Sequence, residues 1–550
     1  MAVSRSAQPT AAERALHDQT NILPIKQLLV VFGTLAVSLL ITFIDQNGIS
    51  TTLPTIAEDL DATDSISWAG IASLVANTTF QMLYGRLSDI FGRKNVFLAA
   101  IALLSIADLL CGLSQNAAMF YVFRGLAGVG GGGVSNLAMI IVSDVVTLEQ
   151  RGKYQGILGA TVGLGNITGP FLAAAFVEHA SWRAFFYMLA PLSAVAGVVS
   201  FVFLPDKPTE AGFNDSAKKI DYAGSLTCSL GVIFLLIPIS GGGSYFEWKS
   251  ALVISFLTIG GLSLVAFVLV EWKIAKLPMM PVTIFSSIAV TTMFIQSFLF
   301  GAVYQSYLYY IPLYLQNARR YSIMSSAAIY CTLVSFQTVF SILSGQYISR
   351  TKRYGEVLWI GFTSWTLGAG LTLLYKKDSP PGLIVMPMIF IGMGVGCIFQ
   401  PTLVALQAHS PKPRRAVIIS NRNFFRCSGG AVGLAVSAAV LQAALRSRLP
   451  AEYAYVAEST YSLPPGLADN PIVLDAYMHA SRAVFILQIP LIGLCFLGCA
   501  FVRDRGLKPV DDQAGKTQDS TSEEAEQEAP HLLAEPGSLS GPVQEKTSVT

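Results

Sequence analysis

Residues 85–94 read GRLSDIFGRK: two glycines, an aspartate and three basic residues set between long, almost wholly apolar stretches. Charge at this density is tolerated near hydrocarbon only where it reaches water or headgroups, so the segment reads as a short loop joining two membrane crossings. Snorkelling bases account for Arg86, Arg93 and Lys94, but not for an aspartate and two glycines at fixed places. Gly85 and Gly92 permit a tight turn and close approach of neighbouring helices. Asp89 is placed to face a helix N-terminus or the arginine of its own loop, an interaction that can break and re-form between two conformations.

The surrounding chain fits this reading. Of 550 residues 53% are hydrophobic and only 13% charged, whereas a soluble protein is about 25% charged. Crossing a bilayer core takes about 20 apolar residues. Such runs occur at 27–49, 67–85, 96–114, 119–143, 157–177, 184–204, 223–240, 250–270, 288–313, 325–347, 356–375, 382–405, 416–442 and 483–502, fourteen in all. An even number puts both termini on one side. Of the 36 Lys and Arg residues, 24 fall on that side, 9 on the other and 3 within spans, so the bias of short inner loops towards positive charge makes both termini cytoplasmic. The first opposite loop carries Glu58, Asp59, Asp61 and Asp64 and no base. Net charge is only +2, so nothing argues for nucleic acid. The seven cysteines lie in apolar runs and read as buried small hydrophobes. Tyr309, Tyr310 and Tyr314 read as an aromatic belt at the membrane surface.

The chain also echoes itself. Gly85 and Arg93 recur as Gly345 and Arg353; Gly128, Gly130 and Gly133 as Gly392, Gly394 and Gly396; Gly163, Gly165 and Gly169 as Gly429, Gly430 and Gly433. The common offset of about 260 residues exceeds six helices with their loops by about two helices, at roughly 30 residues each. The expected fold is therefore all-α and polytopic, with two six-helix bundles and two extra central helices. Its division is a cytoplasmic tail at 1–26, a bundle at 27–204, a linker with two inserted helices at 205–287, a bundle at 288–503 and a disordered acidic tail at 504–550. In that tail residues 511–550 hold nine acids and two lysines.

Gly85, Leu87, Ser88, Asp89, Gly92, Arg93 and Lys94 match G-x-L-[AS]-D-x-x-G-R-K, so the chain resembles the major facilitator superfamily in its signature loop. Further motifs resemble the 14-spanner drug:proton antiporter branch, in its fungal form. Asp45 to Pro54 (DQNGISTTLP) is similar to D-x-T-x-x-x-x-A-L-P, with Asn47 and Thr52 as substitutions; Arg124 and Gly128 fit R-x-x-x-G. Gly165, Gly169 and Pro170 lie in the helix 5 antiporter motif, where Ala173 and Ala174 replace its last glycines. Trp182, Arg183, Phe186, Tyr187 and Pro191 resemble the branch's next motif. The resemblance implies proton-coupled efflux of drugs, toxins or fungal secondary metabolites across the plasma membrane by a monomer. The alternatives are vacuolar uptake of basic amino acids and a nutrient receptor that does not transport.

Charges within spans are costly and need a reason. Asp45 in helix 1 and Arg124 in helix 4 can share a depth, and are expected to carry the proton coupling. Gly85, Asp89, Gly92, Arg93 and Lys94 form the gating loop. Gln81, Gln296, Tyr304, Gln305, Tyr307 and Gln337 are candidates to line a cavity for a small-molecule substrate, with Arg426, four residues after Arg422, as an inner gate. Asp108 in helix 3 reads as structural. Gly128, Gly130 and Gly133 spell a dinucleotide fingerprint, but no strand precedes them and close helix packing explains them. No cofactor and no metal is expected, and no enzyme: the partners are the substrate, protons and the lipid bilayer.

Overall fold

The computed structural model describes residues 13, 21–62, 65–206, 213–242, 245–376, 379–450, 452–453, 456, 467 and 470–507. The acidic tail expected beyond residue 507 lies outside them. One bundle comprises α1 (Ile25–Asp59), α2 (Trp68–Phe91), α3 (Arg93–Gly112), α4 (Ala117–Val145), α5 (Leu148–His179) and α6 (Trp182–Phe203). Two further helices follow, α7 (Tyr222–Gly241) and α8 (Ala251–Lys273). The second bundle comprises α9 (Ile288–Leu313), α10 (Ile323–Thr351), α11 (Gly355–Leu371), α12 (Pro381–Phe399, resumed as Pro401–Ala408), α13 (Arg415–Arg448) and α14 (Pro471–Gly498).

Thirteen of these helices are long and apolar enough to cross a membrane. The fourteenth, α2, is less apolar because protein surrounds it. It packs against α4, α7 and α13, and its Thr78, Thr79, Gln81 and Ser88 are buried. Several helices exceed their apolar runs for the same reason: α5 begins at Leu148 rather than 157, and α14 at Pro471 rather than 483. The opening stretch is itself mostly helix, since α2 continues to Phe91 and only Gly92 breaks the path. Gly92 has φ of 88°, in the region that a side chain disfavours. The tyrosine belt is corrected. Tyr314 is 1% exposed and stacks on Tyr375 at 5.4 Å, and Tyr310 is also buried, because helix packing in the second bundle takes up that face; only Tyr309 is exposed.

The bundles meet along two seams, α5 against α10 and α2 against α13, with α7 covering the second seam and α8 packed on α7. In the first seam the backbones touch. A Cβ on Gly152 would lie 2.9 Å from the Gly345 carbonyl oxygen, and one on Gly156 2.5 Å from that of Ser341. The Ser341 hydroxyl donates to the Gly156 carbonyl at 3.0 Å. These contacts lie in the first half of α5 and the last third of α10, on the face where α1 begins and α14 ends, called here the terminal side. Small residues allow such approach where hydrocarbon gives helices no hydrophobic drive to associate.

Gly345→Ala should push this seam apart, since the new methyl meets the Gly152 carbonyl. A cost of about 1–3 kcal/mol is expected, read as a lower melting temperature in detergent. Gly370→Ala, which meets nothing within 4 Å, is the control and should melt as the parent does.

Candidate functional site

Far from the terminal side, α1 and α5 are zipped together. A Cβ on Gly165 would lie 2.6 Å from the Phe43 Cβ, and one on Gly169 2.8 Å from the Ile44 carbonyl. The Thr51 hydroxyl donates to the carbonyl of Pro170, inside α5, at 3.3 Å. The Asn47 amide donates to Asn166 Oδ1 at 2.9 Å. This packing fixes α1 beside its neighbours and so places Asp45. The Arg124 Nη1 donates to Asp45 Oδ1 at 2.6 Å, and each side chain is 1% exposed. The guanidinium also lies 5.8 Å from the Phe186 ring centroid.

Asp108 joins this cluster. It is fully buried, its carboxyl group lies against that of Asp45, and it is within electrostatic reach of Arg124. Two carboxyl groups therefore face one guanidinium away from water, an arrangement in which a change of one proton alters every attraction. From the sequence alone Asp108 reads as structural. The missing signal was rotational: an acid in an otherwise apolar helix must face protein, and α3 packs on α4, which carries Arg124.

On the terminal side the signature residues form a chain of ion pairs. Arg93 Nη1 lies 2.7 Å from Asp89 Oδ1, and Arg93 Nε 2.8 Å from Asp144 Oδ2. Arg86 Nη1 is 3.6 Å from Asp89, while its Nη2 reaches Glu13 at 2.8 Å. Glu13 in turn takes Arg414 at 2.8 Å. Gly85 abuts Ser420 of α13, whose Cβ would lie 2.9 Å from an added Cβ. Arg86 Nε donates to the Pro278 carbonyl at 2.7 Å. Lys94 stands apart, its ammonium 5.1 Å from the Phe201 ring centroid.

Residues not singled out in the sequence complete this closure. Asn136 donates to the Ser420 hydroxyl at 2.8 Å and accepts from Asn423 at 3.0 Å. Arg151 donates to Gln407 at 3.0 Å, and Lys352 pairs with Glu149 at 2.5 Å. Each of these contacts crosses between the bundles, so this conformation is sealed on the terminal side.

Above the seal, Tyr304 links the bundles: its hydroxyl accepts from Asn166 at 3.1 Å and donates to Gln337 at 2.9 Å. Gln305 lies beside Gly430 of α13. Gln81 donates to Asn77 at 2.6 Å, within α2. Gln296 and Tyr307 are not brought to this place. Gln296 donates to the Cys495 carbonyl at 2.8 Å, and Tyr307 stacks on Phe485 at 6.1 Å, so both face α14 inside their own bundle. Arg426 lies with Arg422 over the ring of Phe399, at 5.4 Å and 4.9 Å. Among the described residues no group of three or more His, Cys, Asp or Glu could hold a metal ion.

Comparisons with known proteins bear on this arrangement. The family model of the Major Facilitator Superfamily matches residues 35–434. Citrate exporter 1 of Yarrowia lipolytica is 50% identical over 514 residues, 92% of this chain and 76% of that protein. The MFS-type transporter clz4 of Cochliobolus lunatus is 40% identical over 500 residues, 90% of each. The solved structure of the proton:xylose symporter XylE shares the fold, with a TM-score of 0.57 at 14% identity, covering 89% of this chain and 98% of that one.

Arg124→Met should leave Asp45 and Asp108 buried without a cation, at a cost of about 3–5 kcal/mol. Adding Asp108→Asn should recover part of that loss in melting temperature. Strictly additive shifts would show that the three side chains do not act as one cluster.

Proposed function

This chain belongs to the Major Facilitator Superfamily, and from that premise we propose that it is a proton-coupled secondary-active exporter of small organic compounds, with organic acids as its cargo. The observation that carries the coupling is the buried Asp45–Arg124 pair at 2.6 Å, with Asp108 beside it. Protonating Asp45 removes one charge of a pair held out of water. Breaking such a pair costs about 3–5 kcal/mol, and reversing a two-state population from 1:99 to 99:1 takes about 5.5 kcal/mol. One proton is thus of the right size to bias the bundles between two arrangements.

The bias of Lys and Arg supports a cytoplasmic terminal side, and in that orientation the sealed face is the inner one. In this reading the ion pairs of Asp89, Arg93 and Asp144 are the inner gate, opening when cargo loads from the cytoplasm. Entry of a proton from outside then returns the protein. In this reading export is across the plasma membrane, and one chain, holding both bundles, acts as a monomer. Support for acidic cargo comes from the relative named a citrate exporter and from Arg422 and Arg426, which stand over Phe399 with no carboxylate partner among the described residues. The same two arginines oppose cationic cargo, so uptake of basic amino acids is disfavoured.

In proteoliposomes loaded with citrate, an inward proton gradient should accelerate efflux, and a protonophore should abolish the acceleration. Asp45→Asn should remove the dependence on the gradient. Efflux that ignores the gradient in the parent protein, or gradient dependence that survives in Asp45→Asn, would exclude this coupling.

A further inference from the structure

Arg422 and Arg426 stand four residues apart on α13, which sets them on one face of the helix. Arg422 is 2% exposed. Both guanidinium groups lie against the same ring, that of Phe399, at 4.9 Å and 5.4 Å. Two like charges at this spacing repel, and within a protein the repulsion is poorly screened. The usual remedy is a carboxylate between them. Among the described residues none pairs with either arginine.

The hydrogen bonds they do make leave capacity unused. Arg422 Nη2 donates to the Phe399 carbonyl, and Nη1 to Asn423 Oδ1 at 3.0 Å. Arg426 Nη2 reaches only the sulfur of Cys427, at 3.5 Å. The Nε of each arginine has no partner. At the adjoining break of α12, Gln400 leaves both of its amide atoms unpartnered and Thr402 its hydroxyl, and both residues are buried. Buried polar atoms are normally satisfied, so a cluster left open calls for a missing partner. What is absent has the chemistry of an acceptor carrying negative charge. A single carboxylate answers one guanidinium, through paired N–H donors in its plane; two guanidinium groups on one face call for two.

The cluster lies in the right place to meet cargo. Phe300 continues from Phe399 as a stacked ring at 5.9 Å and from there to Tyr304 at 5.6 Å, the residue that joins the bundles above the seal. On the terminal side of the arginines, Asn423 and Ser420 bind Asn136. The arginines therefore stand between the cross-bundle tyrosine and the closure.

We propose that Arg422 and Arg426 form the anion site of this transporter, each guanidinium taking one carboxylate of a small di- or tricarboxylic acid. The proposal rests on the reading of the chain as an exporter of organic acids, and goes further by naming the residues and the number of carboxylates they select. Phe399 gives the two guanidinium groups one shared ring to stand on, and Gln400 and Thr402 supply neutral hydrogen bonds beside them. The site discriminates by charge count: a monocarboxylate neutralises only one arginine and leaves the other unpaired.

The purified full chain, titrated with citrate, succinate and acetate by calorimetry, should bind the first two at least about tenfold more tightly than acetate, from the loss of one charge-assisted contact. Arg422→Gln and Arg426→Gln should each weaken citrate binding by about 10–100-fold and erase the preference over acetate. Arg422→Gln also loses its bond to the Phe399 carbonyl; should it fail to fold, Arg426→Gln, whose side chain holds no main-chain carbonyl, decides the matter. Citrate bound as tightly by a folded Arg426→Gln as by the parent, or acetate bound as tightly as citrate, would overturn the proposal. Binding that follows the predicted order without proton-driven efflux would support the site while removing the exporter reading. Proton-driven citrate efflux with an unchanged KM in Arg426→Gln would overturn the site and leave that reading intact.

Discussion

The two bundles come into backbone contact where Gly152 and Gly156 of α5 meet Gly345 and Ser341 of α10. The polar contacts beside that seam depend on the approach. With side chains in the seam the helices would stand too far apart for Arg151 to reach Gln407 or Lys352 to reach Glu149. Glycine contacts also carry little attraction of their own, since dispersion across a few backbone atoms is small. The seam is thus a surface of close fit that can part without stripping large apolar side chains from their pockets, while polar bonds and ion pairs decide when it does.

Charge is distributed accordingly. On the terminal side, cations and anions alternate through Glu13, Arg86, Asp89, Arg93 and Asp144, so the closure is a network of pairs. On the far half, one guanidinium faces two carboxyl groups at Asp45, Arg124 and Asp108. Between them lie two arginines with no acid among the described residues. Apart from Glu13, the first two sets belong to the first bundle and the arginines to α13 of the second. In the proposed mechanism proton, cargo and gate act on different residues, yet α4 carries both Arg124 and Asp144 and meets α13, which carries the two arginines, through Asn136, and that is the kind of physical connection that coupling between them requires.

Much of the fold was legible because a bilayer imposes length and apolarity on each helix, and because GRLSDIFGRK states where charge must escape it. The helix ends were not. Arg151 and Gln155 sit in a polar stretch that reads as loop, and become helix only because the other bundle buries them. Rotation about a helix axis was equally hidden. Helix α9 spreads its polar residues around its circumference, so nothing in its period tells that Tyr304 faces the other bundle while Tyr307 and Gln296 turn towards α14. Asp45 and Arg124 stood out as charges in apolar spans. Asp108 stood out equally, and only the packing of α3 on α4 shows what it faces.

The central claim is that the two bundles part along the glycine seam when cargo and proton exchange. Spin labels at positions 149 and 352, at the terminal ends of α5 and α10, where Glu149 and Lys352 now pair at 2.5 Å, report that movement by pulsed electron resonance in lipid nanodiscs. The account predicts two distance populations, the longer one growing when citrate is added or the pH is changed, and shifting again in the Asp45→Asn background. A single short distance under all conditions, in labelled protein that still transports, would contradict it.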